Sequence, residues 1–225
     1  MVSNFDFLKK DFPVLSNFGE MAEKYCYSDS NSCLMKLGMI GETIVNLMFT
    51  YDRIAFPHDN TAVARIDKLS REGLLTSDLV AILHGLRKVR NKAVHENYAS
   101  IADDKTFLPM AHSLCEWFMQ TYGDWNYSHK DFVMPEENTV SGTVDKEAEE
   151  KKESELTKLA EQMAAAAPII EQTERKKQAY KAANQRPKTE AETRFLIDEQ
   201  LRMVGWDADC LLYTSPSPRD ISGSR

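Results

Sequence analysis

The chain has 225 residues, 42% of them hydrophobic and 28% charged, which is enough to bury one core and to carry a further segment. A net charge of −7 argues against binding nucleic acid over the whole surface, although it leaves room for a local basic site. The amino terminus has no apolar signal segment and no stretch has the length of a membrane span, so we expect a cytoplasmic protein. Four cysteines without a CxxC pair indicate reduced thiols, and no histidine has metal-ligand spacing.

Residues 1–135 have the apolar periodicity of a helical bundle. The predicted helices cover residues 12–27, from 29 or 30 to 51, 62–71, from 76 or 77 through at least 89, and 106–122. Gly38 and Gly41 lie three apart in the second helix, so we expect a neighbouring helix to approach closely there. No run of any length alternates as a strand does, and an all-α bundle is therefore predicted.

Residues 136–187 differ from the bundle in composition and are predicted to form a charged helical linker. Residues 145–186 contain nine acidic and nine basic side chains, which indicates a solvated face. Apolar residues at alternating spacings of three and four predict a short coiled-coil seam, formed by Leu156, Leu159, Met163, Ala166 and Ile170. Pro168 interrupts this pattern, so the linker should be kinked or broken there.

Residues 188–209 begin a unit that the chain does not complete. Thr189 and Glu192 form a capping-box pattern, and a helical apolar face follows. Gly205 is placed to end this helix, and Trp206 is predicted to open a strand. Because such a helix needs a sheet to pack against, we expect the natural chain to continue beyond Asp209. The simpler alternative is a generic capped amphipathic helix.

The pattern TEAETR-x-LIDEQLR-x-x-GW-x-AD over residues 189–209 resembles the opening of the nuclease domain in restriction (R) subunits of type I restriction-modification enzymes. The resemblance implies a truncated α/β nuclease of the PD-(D/E)xK kind, followed in the parent by an ATP-driven DNA-translocating motor. It also implies Mg²⁺ and ATP as cofactors of the parent, and methylation and specificity subunits as partners. The acids and lysine that would bind magnesium lie beyond residue 209, so no cofactor, metal or nuclease catalytic residue is expected within this chain.

Residues 210–225 are expected to be an artefact. Cys210 to Asp220 resembles the translation of a transposase adaptor used in sequencing libraries, and Ile221 to Arg225 would then be barcode. Two prolines, four serines and the lack of apolar periodicity after Tyr213 make a poor continuation of a nuclease strand. Residues 210–225 are therefore not expected to be part of the fold.

The densest polar cluster lies at residues 86–97 and contains Arg90, Asn91 and His95. Arg90 and His95 would diverge by about 140° on a continuous helix, and a bend near Asn91 would bring them together. Arginine can hold a phosphate, and histidine can transfer a proton near neutral pH. The pair would suffice for metal-independent RNA cleavage by 2′-hydroxyl attack.

Arg90-Asn91-x-x-x-His95 also resembles the R-N-x-x-x-H signature of the HEPN superfamily, whose members are helical bundles. In active members two protomers combine their motifs, which implies a homodimer through the bundle. A HEPN-type domain precedes the nuclease in one branch of type I R subunits, and the order of segments here is similar to that branch. The alternative is that these residues only join helices, with Arg90 paired to an acid such as Glu42 and His95 bonded to a backbone carbonyl.

Taken together, the sequence predicts a mainly α amino-terminal fragment of a type I R subunit, inactive on DNA by itself. Its segments would be a HEPN-like bundle at 1–135, the linker at 136–187, the nuclease opening at 188–209 and the artefact at 210–225. The alternative from another class is a stand-alone HEPN-type RNA-binding or interaction module, or a toxin-like ribonuclease. A purely structural helical adaptor is the third hypothesis.

Overall fold

The computed structural model describes residues 3–137 and 146–206, apart from the side chains of Lys146 and Met203, and contains eight α-helices and no strand within them. The predicted mainly α fold class is therefore confirmed. The helices are α1 (Pro13–Tyr25), α2 (Ser30–Tyr51), α3 (Ala62–Arg71), α4 (Ser77–Glu96), α5 (Ile101–Tyr122), α6 (Lys146–Ala166), α7 (Gln172–Gln185) and α8 (Glu190–Met203), with a short 3-10 helix at Asp6–Leu8. The chain divides into two compact units, Met1–Thr189 and Glu190–Arg225. The predicted adaptor segment lies outside the described residues.

Helix α2 lies at the centre of the first unit, where it contacts α1, α4, α5 and α6. Its apolar side chains from Cys33 to Phe49 are largely buried, because these four helices cover most of its surface. By length and hydropathy α2 could cross a membrane, so the expectation that no stretch is long enough was wrong on length. Within the bundle 61% of its most apolar window is buried, and core helices of soluble proteins pass the same test.

The predicted helix boundaries follow the caps that the structure contains. Asp29 accepts a hydrogen bond from the Ser32 amide at 3.1 Å, and Thr61 accepts one from the Ala64 amide at 3.2 Å. Helix α5 starts at Ile101, five residues before the predicted start, because Ser100 Oγ accepts from the Asp103 amide. Pro109 therefore lies inside α5 and not at its start.

The charged segment that was predicted to be a linker packs on the bundle through α6. Lys36 of α2 forms ion pairs with Glu149, at 2.6 Å, and with Glu153. Ala160 and Ala164 are 4% and 0% exposed, so this helix buries small side chains against the bundle. The predicted break near Pro168 is confirmed, because α6 ends at Ala166 and α7 starts at Gln172.

The predicted coiled-coil seam on α6 was wrong. Leu159 and Met163, two of its central members, are 44% and 38% exposed, whereas the alanines next to them are buried. The ion pairs of Lys36 favour the rotation of α6 that turns Glu149 and Glu153 toward α2. Rotating the helix to bury the larger residues would break these contacts.

Helix α7 is held on the bundle mainly by polar groups. Arg175 is 1% exposed, its Nε donates to Asp52 Oδ1 at 3.1 Å, and its guanidinium carbon lies 4.3 Å from the centre of the Tyr122 ring. Trp117 Nε1 donates to the Ala179 carbonyl at 3.0 Å, and Gln178 Nε2 donates to the carbonyl of Gln120 at 2.7 Å. Helix α7 is therefore an integral part of the first unit.

The second unit begins with α8, which ends where the sequence predicted. Gly205 has a φ of 85°, the left-handed conformation that glycine adopts at low cost. The Gly205 amide donates to the Arg202 carbonyl at 3.1 Å, and the Trp206 amide donates to the Leu201 carbonyl at 3.0 Å. These two hydrogen bonds form a Schellman motif. The strand predicted to start at Trp206 lies almost wholly outside the described residues.

Candidate functional site

Helix α4 carries the three predicted site residues, and it is continuous through all of them. It runs without a break from Ser77 to Glu96 and ends at Asn97, which has a left-handed φ of 50°. The bend that would bring Arg90 and His95 together is therefore absent. On a continuous helix the two residues lie about 140° apart around the axis and roughly 7.5 Å apart along it.

Arg90 lies where α4 crosses α2. A Cβ atom added to Gly38 would collide with the Arg90 side chain, coming within 2.6 Å of its Cδ and 2.7 Å of its Cγ. The predicted close approach of a helix at Gly38 is thus confirmed. The guanidinium Nη1 lies 2.9 Å from Glu42 Oε2, so the alternative pairing with Glu42 is confirmed as well.

Asn91 and His95 are both exposed near the end of α4. Asn91 lines a cleft beside α2, whereas His95 does not line it. Arg90 and Asn91 are therefore brought to one site, and His95 lies on a different part of the helix surface. Their assignment as catalytic residues remains a prediction.

The cleft has a volume of about 390 Å³ and lies between α2, the first turn of α3 and α4. Its polar lining includes three arginines, Arg65, Arg87 and Arg90, and one carboxylate, that of Glu42. Arg87 and Arg65 were not predicted as site residues. The basic run Arg87 to Arg90 could have indicated Arg87, but nothing in the sequence indicates that α3 brings Arg65 beside it.

The three arginines of the cleft differ in their partners. Arg65 donates to Asn46 Oδ1 at 2.7 Å and to Asn60 Oδ1 at 2.8 Å, and its guanidinium carbon lies 5.2 Å from the Phe56 ring centre. Arg90 is paired with Glu42 as described above. The Nε of Arg87 is buried and has no hydrogen-bond partner in the part of the chain that the structure describes.

A second polar centre is built around the buried Glu116 of α5. Its Oε1 accepts from the Lys130 amide at 2.8 Å and from the Tyr127 hydroxyl at 3.1 Å, and its Oε2 lies 3.0 Å from His129 Nδ1. His112 lies one turn away on α5 and is 3% exposed, and burial lowers its pKa. These contacts hold the segment that follows α5 against the bundle.

Asp104 is a buried carboxylate near the amino terminus of α5. Burial raises the pKa of Asp104 to about 6, and Ser30 and Cys33 oppose this only in part because neither makes a well-formed hydrogen bond to it. Cys26, Cys33 and Cys115 are free and buried, as expected for reduced thiols. Across residues 3–137 and 146–206, no group of three His, Cys, Asp or Glu side chains is arranged to hold a metal ion.

Comparisons with known proteins identify a family and one distant relative. The family described as "Domain of unknown function (DUF4145)" matches residues 20–159. The endonuclease subunit of the type I restriction enzyme EcoKI from Escherichia coli (strain K12) is 26% identical over 262 residues. This alignment covers 92% of the chain and 22% of that subunit, so the chain spans about a fifth of the relative's length. No solved structure matches the chain significantly.

Proposed function

We propose that the chain, which belongs to the DUF4145 family, is the amino-terminal region of a type I restriction endonuclease subunit and that this domain precedes the nuclease there. The observation that carries the proposal is the similarity to the EcoKI endonuclease subunit over 92% of the chain. Residues 189–209 by themselves resemble the opening of the nuclease domain in type I R subunits. The helix at Glu190–Met203, closed by a Schellman motif at Gly205, supports the proposal further.

Within that subunit the bundle acts as a scaffold. Arg90 holds α4 against α2 and is paired with Glu42, and the straight path of α4 keeps His95 away from it. A HEPN-like domain of this kind would be retained for its shape, with the chemistry supplied elsewhere. ATP-driven translocation and Mg²⁺-dependent cleavage of DNA would belong to regions after residue 209, and methylation and specificity subunits would be the partners.

The first test is to read the source DNA across codon 209. We expect an open reading frame that continues into an Asp and a Glu-x-Lys and then into helicase motifs. A native stop codon, or an unrelated domain, would overturn the proposal. The complete subunit, assembled with its partner subunits, should then cleave DNA in the presence of ATP and Mg²⁺.

The scaffold role has a separate test in the same assembly. We expect His95→Ala to leave ATP-dependent DNA cleavage within about twofold of wild type, because His95 is exposed and lies outside the cleft. His58→Ala is the matched control, since His58 is also exposed. A loss of cleavage with His95→Ala alone would contradict a scaffold role.

A second candidate function is metal-independent RNA cleavage by a homodimer. It is favoured by the exposure of Asn91 and His95 on the last turns of α4, where a second copy could meet them. The test is degradation of a single-stranded RNA by the whole chain in EDTA. Activity that His95→Ala abolishes and His58→Ala retains would establish a ribonuclease, and no activity at micromolar protein would eliminate it.

A further inference from the structure

We propose that the cleft between α2, α3 and α4 binds a phosphate group, held by Arg87 and by the first backbone amides of α3. This inference goes beyond the proposed function and does not depend on it, because it concerns a site that neither nuclease nor motor chemistry uses. His95 is not part of the site.

The charge of the cleft fits a dianion. Arg65, Arg87 and Arg90 carry three positive charges, and Glu42 is the one acidic residue in the lining. The excess of two positive charges is unusual in a chain whose net charge is −7. A phosphate monoester carries about −1.5 to −2 charges near neutral pH, whereas a carboxylate carries only one.

Arg87 is the residue of the cleft whose charge is left for a ligand. The positive charge of Arg90 is balanced by Glu42 at 2.9 Å, and Arg65 is oriented by two asparagines and an aromatic ring. Arg87 Nε is buried with no hydrogen-bond partner in the described part of the chain. A buried donor without a partner is unfavourable, and an oxyanion in the cleft would supply one.

The amino terminus of α3 contributes donors on the opposite wall. Thr61, Ala62 and Val63 line the cleft, and Thr61 Oγ1 caps the amide of Ala64. The amides of Ala62 and Val63 precede the first intrahelical hydrogen bond, which the Arg65 amide makes to the Thr61 carbonyl. Two amides without intrahelical partners at the positive end of a helix, in a cleft that a guanidinium also lines, are suitable donors for phosphate oxygens.

The phosphate group could come from a small phosphorylated molecule or from a nucleic-acid backbone. The volume of about 390 Å³ admits a phosphate with a sugar-sized group attached. Residues 61–97, which form α3, α4 and their connection, contain seven Lys or Arg and four Asp or Glu, so this face would also tolerate a DNA strand. The test therefore includes both sources.

The experiment uses the 225-residue chain in a phosphate-free buffer of constant ionic strength. Inorganic phosphate and a 12-base-pair DNA duplex are titrated separately, and the affinity is measured by calorimetry and from the amide NMR signals. We expect the signals of Ala62 and Val63 to shift with at least one of the two ligands and not with added chloride. Arg87→Ala should weaken binding about tenfold or more, because it removes a charge-assisted hydrogen bond.

Two further variants test whether the ligand binds in the cleft. Lys92→Ala removes the same charge from the same helix outside the cleft, and we expect less than a twofold change. Ala62→Pro removes one amide donor at a position where proline suits a helix, since Thr61 before it is extended with a ψ of 156°. We expect Ala62→Pro to weaken binding about threefold to fivefold. If Arg87→Ala does not fold, the affinity of Ala62→Pro is the test of the site.

Each outcome decides for or against the site. Binding of inorganic phosphate that needs Arg87 assigns a small-molecule ligand, and binding of the duplex that needs Arg87 assigns the DNA backbone. Equal losses with Arg87→Ala and Lys92→Ala would overturn the proposal, because they would show only a general effect of charge. Absence of binding by both ligands, or signals of Ala62 and Val63 that do not move, would overturn it as well.

Discussion

The burial of helix α7 contrasts with that of the last part of α4, residues 90–97, which we call the α4 end. In both regions the sequence suggests the opposite of what the structure contains. Helix α7 is polar along its whole length, yet it has five buried residues, Arg175, Gln178, Ala179, Ala182 and Ala183. The α4 end contains the residue types of a catalytic motif, yet only Ala93 is buried there. In this chain, the residue types of a catalytic motif therefore indicate neither that the side chains are buried nor that they stabilise the fold.

The contrast follows from how each helix reaches the bundle. Helix α7 has few large apolar side chains, so it is attached by donors that reach backbone carbonyls of α5, as Gln178 does, and by small alanines that allow close approach. The α4 end contacts α2 mainly at its rim, where Arg90 pairs with Glu42 and Asn31 donates to the Ala93 carbonyl at 2.8 Å, while the side chains on its other faces are exposed. Buried polar contacts are sensitive to the loss of one partner, whereas exposed ones are not.

Arg175→Ala has the largest expected effect on stability and tests whether polar contacts attach α7 to the bundle. Arg175 joins α7 to Asp52 and the Thr121 carbonyl, and its removal would leave a buried carboxylate without its cation. We expect the free energy of unfolding to fall by about 3–5 kcal/mol, measured by urea denaturation.

Lys177→Ala, an exposed change on the same helix, is the control and should change stability by less than about 0.5 kcal/mol. If both variants unfold at the same urea concentration, α7 does not contribute to the stability of the first unit and the contrast is wrong.

Asp104 extends the comparison. Its side chain is buried, as the Asp52 side chain is, but it forms no ion pair with Lys or Arg in the described residues. Its pKa is raised from 3.8 to about 6, so the folded state binds the proton more tightly than the unfolded state. Stability from this group is present below about pH 4 and is lost as pH rises through about 6. Asp104→Asn should therefore be about 2–3 kcal/mol more stable than wild type at pH 7.

The same variant should differ little from wild type at pH 4, where Asp104 is already neutral. Thermal unfolding at a series of pH values between 4 and 7 tests both statements. Parallel curves for the two proteins over this range would show that Asp104 is not the group that titrates.

Gly38→Ala tests the start of the α4 end, where Arg90 packs against α2. The added Cβ would collide with Arg90, and we expect a loss of about 1–2 kcal/mol after the helix-propensity gain of alanine is included. Gly41→Ala is the matched control, because its Cβ would lie 3.4 Å from Leu86 Cδ1 and should be tolerated. Adding Arg90→Ala to Gly38→Ala should restore only part of the lost stability, because alanine keeps the Arg90 Cβ, the atom nearest to the new methyl group. No restoration at all would show that the outer part of the Arg90 side chain does not contribute to the strain.

Local signals predicted a large part of the fold, since caps and glycines act over a few residues. The limits of α3, the break near Pro168, the stop at Gly205 and the approach at Gly38 follow from such signals. The rotation of α6 and the burial of Arg175 depend on Lys36 and Asp52, more than 100 positions away in the chain. Periodicity within one segment contains no information about those partners. The predicted seam on α6 was therefore wrong, and the packing of α7 on the bundle was not predicted.

The candidate site was predictable to a smaller degree, for the same reason. The motif Arg90-Asn91-x-x-x-His95 is a local pattern that lies on the last turns of α4, and its catalytic assignment stays a prediction. The cleft, in contrast, is assembled from three helices, and its lining residues Arg65 and Arg87 have no common sequence pattern.

The smallest expected effect concerns the ion pair between Arg90, which belongs to the motif, and Glu42 of α2. Arg90 and Glu42 lie 2.9 Å apart, but their side chains are 37% and 42% exposed, so water screens the attraction between them. A double-mutant cycle of Arg90→Ala and Glu42→Ala should give a coupling energy of about 0.2–1 kcal/mol, well below the effect of Arg175→Ala. A coupling above about 2 kcal/mol would show that the α4 end is as firmly integrated as α7, because only a desolvated pair reaches that value. A small coupling would instead fit a helix end whose charges remain available to a ligand or a partner.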